Sequence, residues 1–581
     1  MNHGFCAIQS LCASSHFTGE RERSLGRQVL LAVTFTGSLP IMALSIVDPP
    51  VLLERRFQRY LALAVICLAE LLVLLDNTIV NVALPSIGVQ LATGVSGLQW
   101  VVDAYTLTFA GLLLACGNLG DRYGRRRVMT IGLVGVGVMS VAGALSETMG
   151  GVITARAAMG VFAAAVFPAT LALIINIFTE KRERALAIAA WTAMAGIAIA
   201  IGPISGGWLL EHFSWHSVFW INVPVAAVAV LATMLWVPES RAAQVGRLDL
   251  LGIALSISGI TLIVWAIIEG PRYGWLSVTT LAAGALGFAL LAVFVIWELR
   301  TSAPILDMRL FGIRRFSLPA LAIAVGYFSM FGFLFLITQY FQGVREYTPL
   351  EFGIASLPFA FSVGVGAPIA TLLAQRFGTT PVIVVGLLTM GVGFYLGGQV
   401  TVDSPYLTDV LPSMVAMALG VAIVQGPATE SIMGSLPLDE AGAGSAVNDT
   451  TREIGGTLGV AVLGSIVASY YTTRMAPKID VIPAAIMNDR EKGLVKASPL
   501  SVLEMRSRPL PPFLDAQRET LITAMKSAAL QGSHAASLVA TGAVIVCAVL
   551  VAIFLPWGVQ EGESILLGWR KSPKPQPDST L

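Results

Sequence analysis

Apolar residues dominate the chain in long uninterrupted runs. Residues 157–179, 185–210 and 316–344 contain no Asp, Glu, Lys or Arg at all. A helix crossing a bilayer needs about 20 predominantly apolar residues, so each run is long enough to span. Reading the pattern this way predicts fourteen helices, near 60–84, 97–118, 128–147, 150–177, 185–209, 217–237, 248–269, 275–298, 317–340, 352–374, 382–401, 409–432, 443–469 and 535–556. The polar residues fall mainly between these segments. The fold class is therefore an all-α polytopic membrane protein.

Composition sharpens this. Of 581 residues, 55% are hydrophobic and 12% charged, against roughly 25% charged in an ordinary soluble chain. A soluble enzyme, a nucleic-acid-binding protein and a disordered chain are excluded, because no compact soluble surface could hide so much apolar area. The net charge of +1 gives no bulk attraction to nucleic acid. Cys6, Cys12, Cys67, Cys116 and Cys547 are scattered and suggest neither a disulfide framework nor a metal site.

The short loops are asymmetric in Lys and Arg. Arg122, Arg125, Arg126 and Arg127 follow the second helix, Lys181, Arg182 and Arg184 the fourth, and Arg300, Arg309, Arg314 and Arg315 the eighth. The alternate loops hold almost none. Positive charge is retained on the cytoplasmic side, so both termini are expected there, in a cell (inner) membrane. Residues 1–58 are expected to be a non-spanning extension. Gln28 to Val47 is read as an interfacial segment, or as upstream sequence if translation starts at Met42. The long polar segment 470–534 is expected outside, with an amphipathic helix near 516–530.

An internal repeat is present. LGDRYGRRRV at 119–128 aligns with LAQRFGTTPV at 373–382, an offset of 254 residues. Both joints lie between the second and third helix of their halves and on the same side, which implies parallel repeats related by an axis along the membrane normal. The expected organisation is a six-helix half (59–240), a two-helix insertion (241–300), a second six-helix half (301–560) and a tail (561–581). Such halves transport by rocking against one another.

Four motifs resemble the major facilitator superfamily, and in particular its fourteen-span drug:proton antiporters. GNLGDRYGRRR at 117–127 resembles the superfamily's loop signature. LDNTIVNVALP at 75–85 resembles the first-helix signature of the fourteen-span branch. Gly196 with GPISGG at 202–207 is similar to the antiporter motif of the fifth helix, and AVNDTTREIGG at 446–456 is similar to quaternary-ammonium and multidrug exporters. The resemblance implies a major facilitator fold, and a secondary exporter of amphipathic, cationic drugs in exchange for protons. Export of an endogenous lipid, siderophore or metabolite is the alternative; a membrane-embedded enzyme or a sensor fits the motifs less well.

Candidate site residues follow from both readings. Glycines 117 and 124 permit close approach and a tight turn, and Asp121 can pair with an arginine or a neighbouring helix N-terminus as a gating latch; Arg122, Arg125 and Arg126 belong to the same gating loop and set topology as well. Gly202 and Gly206, four apart with Pro203 between them and Gly207 adjacent, allow close helix packing and a bend. Carboxylates at membrane depth are costly and functional by default. Asp76 is the expected proton-coupling or substrate-responsive position; Asp103, beside Trp100 and Tyr105, suits a lipophilic cation or is a solvated, capping acid near the membrane surface, and Glu430 suits proton or cation binding or a structural ion pair. Glu70 is read as equally consistent with packing. Asp449, Arg452 and Glu453 are read as a salt-bridge network at the inner surface. Arg156 matches a basic family position and needs a buried partner, although Met159 stands where the family commonly has Gln. No P-loop motif occurs, and the i, i+4 pair His212 and His216 lies in a short aromatic-flanked loop, so neither metal nor cofactor is expected. The expected partners are drug molecules, protons and the lipid bilayer.

Overall fold

A computed structural model describes residues 30–31, 44–45, 49–242, 248–301, 304–436, 441–483, 487–507 and 515–557. Residues 1–61 form one compact unit and 62–581 a second. In the first, Leu30 and Leu31 pair antiparallel with Ser45 and Leu44. The expected interfacial segment otherwise lies outside the described residues, as does the 561–581 tail.

Among the described residues, fourteen helices are long and apolar enough to cross a membrane. They are α1 (Pro49–Gln90), α2 (Val95–Tyr123), α3 (Arg125–Ala144), α4 (Met149–Ile177), α5 (Lys181–His212), α6 (Ser217–Trp236), α7 (Leu250–Tyr273), α8 (Val278–Arg300), α9 (Arg314–Val344), α10 (Pro349–Phe377), α11 (Thr379–Gly397), α12 (Tyr406–Gly434), α13 (Ala441–Asp480) and α14 (Asp515–Phe554). All fourteen match the segments expected from the apolar runs, but several extend further. The segment near 516–530 is continuous with α14, not a separate surface helix, because Ile522, Met525 and Ala529 are buried. Side-chain caps start several helices: Thr148 accepts from Gly151 N, Asp249 from Gly252 N, and Thr348 with Glu351 closes a capping box on α10. Prolines 85, 168, 203, 319, 368 and 427 stand inside helices. Neighbouring helices in a bundle compensate for the lost backbone bonds.

Packing repeats between the halves. In the first half α2 and α3 pack on α4, and α3 on α6; in the second α10 and α11 pack on α12, and α11 on α14. The two aligned turns match in backbone as well: Gly124 (φ 113) and Gly378 (φ 88) each end one helix and precede the next, each N–H returning to a carbonyl four residues back. The halves meet along two seams, α2 with α13 and α5 with α10, while α7 and α8 pair with each other and α7 lies against α2 and α13.

The side carrying the Gly124 turn is here the basic face. On the opposite face two short helices, Asp489–Ala497 and Ser501–Ser507, cap the bundle. Leu500 packs over Gly88 and Gly343, and Ala497 against Gly94. Glu346, just beyond α9, anchors this cap through Arg506 Nε at 2.9 Å and Lys526 Nζ at 2.7 Å. Burial works against the charge on Glu346, but the two cationic hydrogen bonds outweigh it and hold its carboxyl below its ordinary value. A depressed folded-state value stabilises above the ordinary carboxylate range, and the stabilisation is lost as pH falls through the depressed value. Glu346→Gln is therefore expected to cost about 1 kcal/mol at pH 7, measured as a lower melting temperature in detergent. The difference from wild type should vanish at strongly acidic pH.

Candidate functional site

The first half encloses a polar centre within apolar helices. Asp76 of α1 and Arg156 of α4 form an ion pair, with side chains 1% and 0% exposed. Asn222 at the start of α6 donates through Nδ2 to the other Asp76 oxygen at 2.6 Å and lies 3.3 Å from Ser140 Oγ of α3. Arg156 Nε donates to the Val101 carbonyl at 3.1 Å, and its guanidinium lies 4.2 Å from the Tyr105 ring centroid. Three of the six helices, α1, α4 and α6, thus meet through side chains on Asp76, α3 joins through Ser140 on Asn222, and α2 contacts Arg156. Met159, at the position where the family commonly has Gln, is the residue against which Ser140 Oγ rests, at 3.9 Å. The requirement for a buried partner to Arg156 is met by Asp76. Asn222 was not singled out from sequence; its signal was a lone amide in an otherwise apolar span.

The loop motif assembles on the basic face. Gly117 faces Pro168 of α4. Asp121 Oδ1 accepts from Arg125 at 2.8 Å, and Arg125 also reaches the Ala172 carbonyl. Arg122 is exposed, its guanidinium over Tyr123. The brace comes from the segment after α6: Glu239 accepts from Arg126 N at 3.0 Å and lies 3.7 Å from Arg127 Nε, Arg125 N donates to the Ser240 carbonyl, and Ala242 N to the Asp121 carbonyl. In this conformation the side-chain contact of Asp121 lies within its own half. Gly124 needs both its positive φ and its lack of Cβ, since an added Cβ would sit 2.8 Å from the Glu239 carboxyl. Glu239 gave little sign in sequence beyond a Pro-Glu step at the end of a span.

The fifth-helix motif sits where three helices converge. A Cβ on Gly202 would overlap Thr78 of α1, and Gly206 faces Ile79. Gly207 lies against the backbone of Pro349 and Leu350 of α10, while Gly353 of α10 lies against Pro203 and Ile204. Thr78 Oγ1 donates to the Ala198 carbonyl at 3.2 Å. Gly196 has open space around it and takes no part in this contact. Next to the junction, a small pocket is lined by residues of both halves, among them Thr78, Asn81, Pro203, Phe333, Phe359 and Met414. Its lining carries no charged side chain.

The remaining acids are dispersed. Asp103 is fully buried on α2, in the seam with α13 and not beside Asp76. Glu430 is exposed near the basic end of α12. Arg452 lies 3.4 Å from Asp449 and 4.6 Å from the Tyr327 ring centroid. Glu70 of α1, 2% exposed, has Arg452 and Asp449 as charged neighbours. The network read at 449–453 thus draws on both halves.

Gly124→Ala is expected to cost about 1–3 kcal/mol, seen as a lower melting temperature. Combined with Glu239→Ala the two costs should fall short of additive, because the new methyl and the carboxyl compete for one space.

Comparison with known proteins agrees with this architecture. A family model described as Major Facilitator Superfamily matches residues 66–460. The chain is 37% identical over 412 residues to a puromycin resistance protein of Streptomyces alboniger, covering 70% of this chain and 82% of that one. It is 37% identical over 418 residues to a multidrug efflux pump of Mycolicibacterium smegmatis (72% and 82%), and 33% identical over 419 residues to a methyl viologen resistance protein of Salmonella typhimurium (72% and 84%). A solved structure of a bacterial homologue of the lysosomal transporter Spinster, inward-facing and unoccupied, superposes with a TM-score of 0.57 at 15% identity, covering 84% of this chain and 97% of that one. This chain is a multi-pass membrane protein belonging to the Major Facilitator Superfamily.

Proposed function

We propose that this protein exports amphipathic cationic drugs in exchange for protons, by alternating access in the cell membrane, with both termini cytoplasmic. The names of its relatives support drug export. The excess of arginines in the loops of the basic face supports that face being cytoplasmic. On that orientation the closed junctions, Gly207 with Pro349 and Leu350, Gln342 with the Val82 carbonyl, and Leu500 over Gly88, lie outside. The outer side is then closed in this conformation. We draw the halves at 59–240 and 301–560, flanking the 241–300 insertion.

The observation that carries the coupling is the position of Asp76. It faces Arg156 and Asn222 inside the first half, whereas Thr78 and Asn81 of the same helix line the pocket. Drug and proton therefore do not meet on one carboxylate. Protonation of Asp76 removes the charge that holds Arg156 and frees α1 to shift, and α1 carries the pocket wall and the surface on which Gly202 and Gly206 pack. The drug, filling the aromatic and hydroxyl-lined pocket, biases the same helix from its other side. Gly202 and Gly207 keep the outer junction tight enough to prevent leak, and the Asp121 turn is the basic-face element that re-forms contacts when the halves rock.

The test uses protein in liposomes with an imposed pH gradient and a fluorescent cationic dye. Asp76→Asn should reduce gradient-driven transport about 100-fold and leave dye-for-dye exchange measurable. Arg156→Ala leaves a buried carboxylate unpaired and should cost about 3–5 kcal/mol of stability. Wild-type coupling rates in Asp76→Asn would overturn the reading.

A further inference from the structure

The insertion helix α7 ends in a turn that ties it to both halves at once. Gly274, at φ 92, closes the helix, its N–H returning to the Gly270 carbonyl at 2.9 Å. A positive φ of this kind suits glycine, and the next residue, Trp275, lies back over the last turn. Gly270 leaves room for the indole, since a Cβ there would sit 2.8 Å from the ring. Placed in this way, Trp275 Nε1 donates to Ser469 Oγ of α13 at 3.2 Å. In the last turns of α7, Glu269 Oε1 accepts from Trp100 Nε1 of α2 at 3.2 Å, and its other oxygen lies 3.7 Å from Arg272. All of these groups stand at the end opposite the basic face.

Deeper in the bundle α7 is fitted unequally to its two neighbours. Gly111 of α2 forms a notch that receives Ile257, and an added Cβ there would overlap the isoleucine. The glycines of α13 receive other helices: α9 at Gly455, Gly456 and Gly459, and Gln99 of α2 at Gly464. Towards α13, α7 presents Val264 and Ile268, which join Ala461 and, on α2, Leu107 in a buried apolar cluster. Apolar surfaces without a notch part into lipid at little cost, because lipid tails offer the same contacts. A side chain seated in a glycine notch loses its close packing when it leaves. The insertion is therefore keyed to α2 by Ile257 and by the Trp100–Glu269 bond, and it is hydrogen-bonded to α13 through the Trp275 indole.

We propose that α7 travels with the first half and that Trp275 is its latch on the second, holding the outer end of the α2–α13 seam closed until the halves rock. When the outer side opens, α13 leaves α2 and the Trp275 N–H leaves Ser469. The indole then finds water or a lipid headgroup oxygen at the membrane surface, an environment that suits its apolar body and polar edge. Trp275 acts beside Gln99, which crosses the same seam directly to the Val460 and Ala461 carbonyls. The outer side is thus closed by backbone contact at Gly207 and Gly353 on one seam and by hydrogen bonds on the other, one set made directly and one through the insertion. A single hydrogen bond biases such an equilibrium several-fold without freezing it.

This inference rests on alternating access as proposed above. The full chain in liposomes, its native cysteines replaced, carries spin labels at Val278 and Gln90, on the insertion and the first half, or at Val278 and Arg474, on the insertion and the second; all three side chains are exposed. Pulsed electron resonance between acidic and neutral pH should give one Val278–Gln90 distance throughout, and a second, longer Val278–Arg474 distance. Trp275→Phe keeps a ring over Gly270 and removes the donor, and Ser469→Ala removes the acceptor. Each should raise the ratio of the longer distance to the shorter about 5-fold, the double variant no further, and Ser469→Thr should restore the wild-type ratio. Splitting of the Val278–Gln90 distance in place of the other overturns the travel of α7 with the first half. Unchanged ratios in Trp275→Phe and Ser469→Ala, or additive effects in the double variant, overturn the latch. Wild type that moves a cationic dye while both distances stay single at every pH would instead overturn alternating access itself.

Discussion

Much of the first half is arranged around one buried pair of charges. A guanidinium in a bilayer-embedded bundle is tolerable only if its charge and its donors are answered. Arg156 is answered by Asp76, the Val101 carbonyl and the face of Tyr105, and Asp76 in turn by Asn222. These contacts fix the rotation of α1, α2, α4 and α6 about their own axes. Once α1 is fixed, Thr78 and Ile79 present the surface on which Gly202 and Gly206 pack, and Asn81 is turned into the pocket. The electrostatic requirement at one residue thus propagates to the junction between the halves.

The junctions themselves depend on the absence of side chains. At Gly207 and Gly353 the backbones of α5 and α10 approach so closely that a Cβ on either would meet the backbone of the other helix. Where apolar side chains have no hydrophobic advantage over lipid, such contact supplies dispersion and direct dipole interactions instead. The second seam uses different means. Gln99 and Thr106 cross it with hydrogen bonds, and α7 seals it. The first of the two extra helices therefore has a physical role beyond adding length: with α8 packed behind it, α7 covers the polar seam and leaves the glycine seam to close on itself.

The opposite face is held by longer-range pieces. The helices at 489–497 and 501–507 touch both halves through Ala497 and Leu500, while Glu346 ties them to α9 and α14. Opening that face requires these contacts to part, so the cap sets a resistance to opening that is separate from the glycine junction.

Much of this was legible in the sequence, because a bilayer imposes rules that act locally. Apolar run length fixes each span, arginine-rich loops mark one face, and a repeated turn betrays the duplicated halves; the matching positive φ at Gly124 and Gly378 follows from that repeat. Asp76 and Arg156 were individually conspicuous because charge within a span is rare. Their pairing was not legible, since they lie 80 residues apart and only the packing of α1 on α4 brings them together. The same holds for Glu239 under the Gly124 turn, Asn222 on Asp76, and Thr106 against Thr457, 351 residues away. Nor could sequence separate Asp103, buried in the seam between α2 and α13, from Glu430, exposed on the basic face. The sequence by itself determined which segments enter the membrane, because that depends on the transfer energy of each stretch alone. Only the tertiary structure decided which charges are paired, buried or wet, because those depend on what neighbouring helices bring within hydrogen-bonding distance.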